Sequence, residues 1–199
     1  MSNNKLQSLE SIGPAGGQAG GVKDEITREY EEGKKYLERQ EYSLAAVALH
    51  NALLGYEEKG SDAGVANASN QLGHVCLARQ DFEKALEHYQ RALQICQKAN
   101  DRMSIIAVLK KIVAAQRGLK QYDRAIASCL DMLDHYHDNR DPQGSVMTLE
   151  EMAEIYLSAG QNEKAADTYR TIASIHRNFR HDNIADGYLQ KAAGLSDNT

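Results

Sequence analysis

A stretch of amide side chains is the first feature of the sequence that could bind another molecule. Asn67, Asn70 and Gln71, followed by His74, lie within residues 63–78, which contain no Asp, Glu, Lys or Arg. Asn and Gln each offer a hydrogen-bond donor and an acceptor, so they can bind a peptide main chain whatever its side chains. The same pattern also fits a plainer interpretation, in which these amides only solvate an exposed helix face.

Two charged segments of opposite sign follow the amides. The run 102–121 contains no acidic residue, and three of its basic residues are Lys110, Lys111 and Arg117. The acidic segment carries Glu150, Glu151 and Glu154. The basic residues could bind an acidic side chain or a terminal carboxylate, or the two sets of charges could neutralise each other in exposed pairs worth only about 0–1 kcal/mol.

Signals for catalysis or metal binding are absent from the motifs of the sequence. It contains no GxxxxGK[ST], GxSxG or HExxH motif. His135 and His137 are two residues apart and point in different directions on a helix, so they cannot chelate one metal. Cys76, Cys96 and Cys129 are interpreted as small core residues. We therefore expect no enzymatic activity, no cofactor and no metal site.

Composition and charge exclude several classes of partner. The 199 residues include 23 Lys+Arg and 28 Asp+Glu, a net charge of −5, which gives no long-range attraction for nucleic acid or anionic lipid. The longest aliphatic run, residues 44–49, is far too short to span a bilayer. Three cysteines without a CxxC pair fit a reducing compartment. No apolar segment follows a basic start as in a secretory signal, so a cytoplasmic location is expected.

The residues that could bind a ligand are set in an internal repeat with a spacing of 40 residues. Small or compact residues recur at Gly33, Gly73, Val113 and Ala153. A second column consists of Ala45, Ala85, Ala125 and Ala165, and a third of Leu49, Tyr89, Cys129 and Tyr169. Such a repeat at a fixed period is typical of stacked supersecondary units.

Each repeat is predicted to be a helical hairpin. Apolar residues within a repeat are spaced by three, four and seven, which is the periodicity of a helix. Ser61, Asp101 and Asp141 occupy matched positions between repeats and are predicted to be N-caps. Pro142 directly after Asp141 supports this interpretation, because proline is favoured at the first helical position.

These columns resemble the tetratricopeptide repeat, in a longer form with a period of 40 residues. The clearest copy consists of Leu72, Gly73, Phe82, Ala85, Tyr89, Ala92 and Leu93. The resemblance covers residues 26–185, although Val113, Ala153 and Asn162 depart from its pattern in the third and fourth copies. It implies two helices per repeat, of which the first, helix A, lines the concave side of a right-handed superhelix.

We therefore predict an all-α fold, a right-handed α-solenoid of four helical hairpins closed by a sealing C-terminal helix. One hairpin cannot bury its own apolar face and must stack on neighbours. A flexible glycine-rich tail is predicted for residues 1–23 and a helical repeat domain for residues 24–196. The predicted repeats span residues 26–65, 66–105, 106–145 and 146–185, and the sealing helix spans residues 183–196.

The register of the repeats assigns side chains to the concave groove implied by the resemblance. The residues assigned to this peptide-binding groove are Tyr30, Lys34, Asn67, Asn70, Gln71, His74, Lys110, Lys111, Arg117, Glu150 and Glu154.

The chaperone-binding subgroup of the family holds a terminal carboxylate with a clamp, Lys-x-x-x-Asn, then Asn, then Lys-x-x-x-Arg on successive A helices. This sequence has Tyr30 and Lys34, then Gln71, then Ala107 and Lys111 at those positions, so we expect no co-chaperone of that type.

The resemblance and the groove chemistry together predict a non-catalytic protein interaction module or adaptor that binds a peptide or helix of another protein. The alternative is a self-assembling oligomeric scaffold. It would use Leu6, Leu9 and Ile12 of the N-terminal tail, or Tyr188 and Leu189 of the terminal helix, to dock on another copy.

Overall fold

A computed structural model describes residues 24–196 of the chain, and those residues are helical apart from short turns. The tail predicted for residues 1–23 lies outside the described residues. No strand occurs between residues 24 and 196, so the prediction of an all-α fold is confirmed. No helix in this part of the chain is long and apolar enough to cross a membrane.

Nine helices make up the described residues, and from α3 onward each begins 20 residues after the one before it. Their bounds are α1 (Glu25–Glu38), α2 (Tyr42–Glu58), α3 (Asp62–Ala78), α4 (Phe82–Lys98), α5 (Arg102–Gly118), α6 (Tyr122–Asp138), α7 (Pro142–Ser158), α8 (Asn162–Asn178) and α9 (Asp182–Ser196). The odd-numbered helices from α1 to α7 correspond to the predicted A helices.

Side-chain caps begin the A helices where the sequence predicts them. Ser61 Oγ accepts a hydrogen bond from the amide of Gly64 at 3.3 Å, and Asp141 Oδ1 accepts one from the amide of Gly144 at 2.8 Å. Asp101 caps α5 in the same way through the amide of Ser104 at 3.1 Å. Each cap satisfies an amide that would otherwise lack a partner in the first helical turn.

A residue in the left-handed region ends each helix and reverses the chain. After α1 this residue is Gln40, with φ of 63°, and the amide of the following Glu41 donates to the carbonyl of Tyr36 at 2.9 Å. The same turn recurs at 20-residue intervals, and two of its members are Gly60 and Gly160. A turn of this kind satisfies carbonyls at the helix end and lets the next helix pack back on the last.

The helices form two compact units, described here over residues 24–115 and 116–196. In the first unit α1 packs on α2, α2 on α3 and α3 on α4. In the second unit α6 packs on α7, α7 on α8 and α8 on α9. Within each unit, contact between helices that are consecutive in sequence is the packing of an α-solenoid.

The repeated alanine column marks the points where paired helices approach most closely. Ala45, Ala85, Ala125 and Ala165 are all 0% exposed. Gly73 serves the same purpose in α3, since a Cβ there would lie 2.5 Å from Cε1 of Tyr89, which is itself 0% exposed. Small residues are thus needed at the helix contacts because side chains from the facing helix fill the remaining space.

Replacement of Gly73 by alanine tests this packing. We expect Gly73→Ala to lower the free energy of unfolding by about 1–3 kcal/mol, because the new methyl group must displace the buried Tyr89 ring. The matched control is Gly187→Ala in α9, where a Cβ would meet nothing within 4 Å. That variant should be neutral or more stable by up to about 1 kcal/mol, since alanine favours the helix. Equal effects of the two changes in urea denaturation would contradict this account.

Candidate functional site

The first unit brings together most of the residues that the sequence assigns to a groove. Tyr30 and Lys34 are half-buried on α1, and Asn67 is half-buried on α3. Lys110 on α5 is exposed, whereas Lys111 beside it is half-buried. The other two amides of the cluster, Asn70 and Gln71, are buried, so they do not solvate an exposed helix face.

Asn70 and His74 form a buried hydrogen-bonded chain with Tyr89. Asn70 is 2% exposed and His74 is 7% exposed. Asn70 Nδ2 donates to His74 Nε2 at 3.2 Å, and His74 Nδ1 lies 2.8 Å from the Tyr89 hydroxyl. Because the amide nitrogen can only donate, the ring proton of neutral His74 is on Nδ1 and is donated to Tyr89. These polar atoms are thus committed to one another, which differs from the predicted direct contact with a ligand.

The surroundings of His74 keep its imidazole neutral. Burial, together with the nearby positive charge of Lys111, lowers the pKa of His74 from 6.5 to about 3. Protonation at Nε2 would also place two donors face to face, because Asn70 Nδ2 points at that atom. At neutral pH the imidazole therefore adds no positive charge to the site.

Tyr30, Lys34 and Gln71 form a second polar group between α1 and α3. The side chains of Tyr30 and Gln71 are hydrogen-bonded, and burial raises the pKa of Tyr30 to about 12. Lys34 Nζ lies 5.4 Å from the centre of the Tyr30 ring and 3.5 Å from Glu31 Oε2. Gln71 is thus occupied by a neighbour within the unit, while Lys34 remains close to the surface.

A pocket of about 280 Å³ lies between the ends of α1 and α3, and we call it the Lys111 pocket. Its lining includes Leu37 and Leu77 as apolar members, His74 as a neutral polar member, Lys111 as the cation and the exposed Glu38 as an acid. Burial and the neighbouring Lys110 charge lower the pKa of Lys111. Among residues 24–196, Lys111 forms no ion pair.

The charged groove residues that lie in the second unit, Arg117, Glu150 and Glu154, have partners within that unit. Arg117 Nη1 donates to Glu151, which supports the interpretation that opposite charges neutralise each other. The Tyr188 hydroxyl donates to Glu150, and the Tyr169 hydroxyl donates to Glu154 Oε1 at 3.4 Å. Glu150 and Glu154 are therefore held by α9 and α8 respectively.

Metal-ligating side chains are not clustered in the described part of the chain, and two of its cysteine thiols are buried. Its residues contain no group of three or more His, Cys, Asp or Glu side chains that could hold a metal ion. Burial raises the pKa of the Cys96 thiol to about 11 and that of the Cys129 thiol to about 12. Both thiols are protonated at neutral pH and are poor nucleophiles, as expected for core residues.

The sequence analysis missed two parts of this site. The sequence places Tyr89 only in a packing column. In the structure its hydroxyl, on the neighbouring helix α4, is the hydrogen-bond partner of His74. Leu37 and Leu77, which line the Lys111 pocket, are not among the residues assigned to the groove from the sequence. The contact between Tyr89 and His74 could have been found in the sequence, because each is a polar side chain on a helix face that packs against the other helix. The sequence carries no comparable signal for the Lys111 pocket.

Sequence comparison links the chain to one repeat family. The model of the family described as tetratricopeptide repeat matches residues 27–98 and 64–128, which together are half of the chain. Tetratricopeptide repeat protein 29 of Trypanosoma brucei brucei is 24% identical over 140 residues. That match covers 69% of this chain and 29% of the relative, so this chain spans under a third of the relative's length.

Solved structures share the fold at low sequence identity. The apo form of RapI has a TM-score of 0.67 and 15% identity, with 87% of this chain and 71% of that chain covered. A Rap protein complexed with competence and sporulation factor has a TM-score of 0.59 and 16% identity, with coverage of 87% and 52%. At such identities the likeness establishes the fold alone.

The neutral state of buried His74 predicts a pH dependence of stability. The pKa of His74 is lower in the folded chain than in the unfolded chain, so the unfolded state takes up the proton first as the pH falls below about 6.5. This group therefore lowers the free energy of unfolding between about pH 6.5 and pH 3, by about 2 kcal/mol at pH 5.

Urea denaturation of wild type and His74→Gln at pH 7.5 and pH 5 isolates this effect, because both proteins share every other titrating group. The wild type should lose about 2 kcal/mol more than the variant between the two pH values. The same loss in both proteins would mean that His74 titrates alike in the folded and unfolded states.

Proposed function

The chain belongs to the tetratricopeptide repeat family, and we propose that it is a non-catalytic interaction module that binds an extended segment of another protein at the Lys111 pocket. Repeat units of this family are interaction modules in general, and the Rap protein complexed with competence and sporulation factor has the same fold. The finer assignment, to a segment that carries a carboxylate, rests on the chemistry of the pocket.

The unpaired Lys111 ammonium is the observation that carries the proposal. A half-buried cation is costly unless an anion compensates it, and among residues 24–196 no carboxylate forms an ion pair with Lys111. An acidic side chain or a terminal carboxylate from a partner would supply that anion. A charge-assisted hydrogen bond in such partly desolvated surroundings is about twice as strong as a neutral one.

The rest of the pocket would select the shape of the bound segment. Leu37 and Leu77 offer apolar surface next to Lys111. His74, kept neutral and held by Asn70 and Tyr89, gives one wall a fixed position. Asn70 and His74 thus position the wall of the site, which replaces their predicted role in direct contact. Direct polar contacts are assigned to Lys111 and to the half-buried Asn67.

Selection of displayed peptides against the full-length chain tests the proposal without a known partner. We expect the selected peptides to contain an acidic residue or to need a free C-terminal carboxylate. Lys111→Met should weaken their binding about tenfold, equivalent to about 1.4 kcal/mol, because methionine keeps the stem and removes the charge. Titration by fluorescence anisotropy at two salt concentrations measures the effect, which should shrink as salt screens the charge.

Lys98→Met is the matched control, since Lys98 is an exposed lysine at the end of α4 outside the Lys111 pocket. Binding to this variant should equal that of wild type. Peptides that bind equally well to Lys111→Met would remove the pocket from the proposal, and a selection that yields no binding peptide would count against the interaction module itself.

A further inference from the structure

Helix α2 carries an apolar stripe on the side that faces away from its neighbours in the first unit. Leu44, Val47 and Leu54 are 51%, 62% and 45% exposed. Their spacing of three and seven residues places them on one face of the helix. The opposite side of α2 is already buried against α1 and α3 through residues such as Ala45 and Leu49. The exposed stripe is therefore additional to the apolar surface that the repeat itself requires.

The other second helices of the repeats show that this stripe is not part of the repeat pattern. At the three corresponding positions, 40, 80 and 120 residues further on, every side chain is exposed, and eight of the nine are polar or charged. They are Lys84, Glu87 and Gln94 in α4, Arg124, Ala127 and Asp134 in α6, and Lys164, Asp167 and Ser174 in α8. These positions are almost always polar where the second helix faces water, but all three are apolar in α2. The difference indicates that this face of α2 is covered by another apolar surface.

The chain itself contains a segment of matching chemistry. Leu6, Leu9 and Ile12 are three residues apart, so in a helical conformation they would form one apolar stripe about 9 Å long. On α2, Val47 and Leu54 are separated by about 10 Å along the helix axis. The whole α2 stripe, from Leu44 to Leu54, is about 15 Å long. The shorter segment could therefore pack along the part from Val47 to Leu54, as helices do through residues at these spacings.

The attachment point of that segment lies beside α2. Asp24 Oδ2 accepts a hydrogen bond from Lys59 Nζ at 2.8 Å, which joins the start of α1 to the end of α2. Residues 13–23 can span up to about 36 Å when extended, whereas α2, with 17 residues, is about 26 Å long. Every point of the stripe is thus within reach, and a tether of this length gives an effective concentration in the millimolar range.

We propose that residues 6–12 form a short amphipathic helix that packs on the Leu44, Val47 and Leu54 stripe of the same chain. The docked segment would cover an apolar face that would otherwise promote association between copies. This inference does not depend on the Lys111 pocket, whose lining includes none of the three stripe residues.

Hydrogen exchange of the full-length chain, followed by mass spectrometry of a peptide within residues 4–13, tests the docking. We expect exchange in this segment to be about tenfold slower in wild type than in Val47→Glu, because the carboxylate destroys the apolar contact. Glutamate is the residue that α4 carries at this position, as Glu87, so the variant should fold normally. A triple variant, Leu6→Ser with Leu9→Ser and Ile12→Ser, should lose the same protection from the other side of the contact.

Ala127→Glu in α6 is the matched control, because it places the same charge at the same register position of another helix. It should leave the exchange of residues 4–13 unchanged. The proposal is overturned if the segment is unprotected in wild type, or if protection survives in Val47→Glu. Protection that disappears on dilution would also overturn it, and would assign the stripe to a second copy of the chain.

Discussion

Paired helices in this chain approach closely because the two side chains that face each other across a contact are sized together. Tyr56 in the last turn of α2 faces Gly64 of α3, and there is no room for a Cβ at that glycine. Tyr136 in the last turn of α6 faces Gly144 of α7 in the same way. The corresponding pair of α4 and α5 is Cys96 and Ser104, two small side chains that are hydrogen-bonded to each other. Glycine at positions 64 and 144 leaves the space that the tyrosine ring fills, as dense packing requires.

This packing constraint fixes the buried columns and leaves the remaining positions of each helix free to differ. The alanine column of the second helices is 0% exposed in every repeat, so these residues are explained by helix packing alone. Differences between repeats at other positions are more informative, because the fold does not require them. Lys111 is one departure of this kind, a half-buried charge that forms no ion pair with any residue from 24 to 196. The apolar face of α2 is another, since it places apolar side chains in exposed positions.

The sequence predicted the elements well because their signals are local. The caps Ser61 and Asp141 and the 40-residue columns mark helix starts and contact faces, and both are read from residue type and spacing. The candidate site was harder to predict, since helical register gives the direction of a side chain and not what fills the space in front of it. Asn70 was assigned to a groove on its register, and the structure shows His74 and Tyr89 around it.

The Lys111 pocket and the α2 stripe differ in the kind of contact that they can make. The pocket is suited to the selective binding of a ligand, whereas the stripe is suited to being covered by another apolar segment. At the Lys111 pocket a buried charge and a fixed polar wall favour one geometry, because an unmatched anion or an uncharged ligand would leave the lysine uncompensated. The α2 stripe carries no charge and is interrupted by one exposed polar side chain, Asn51, so it offers less selectivity than the pocket. A segment tethered to such a surface has an advantage over other apolar partners, because covalent attachment raises its local concentration. In the sequence, Leu6, Leu9 and Ile12 precede α1, whose first residues are joined to the end of α2 by the hydrogen bond between Asp24 and Lys59.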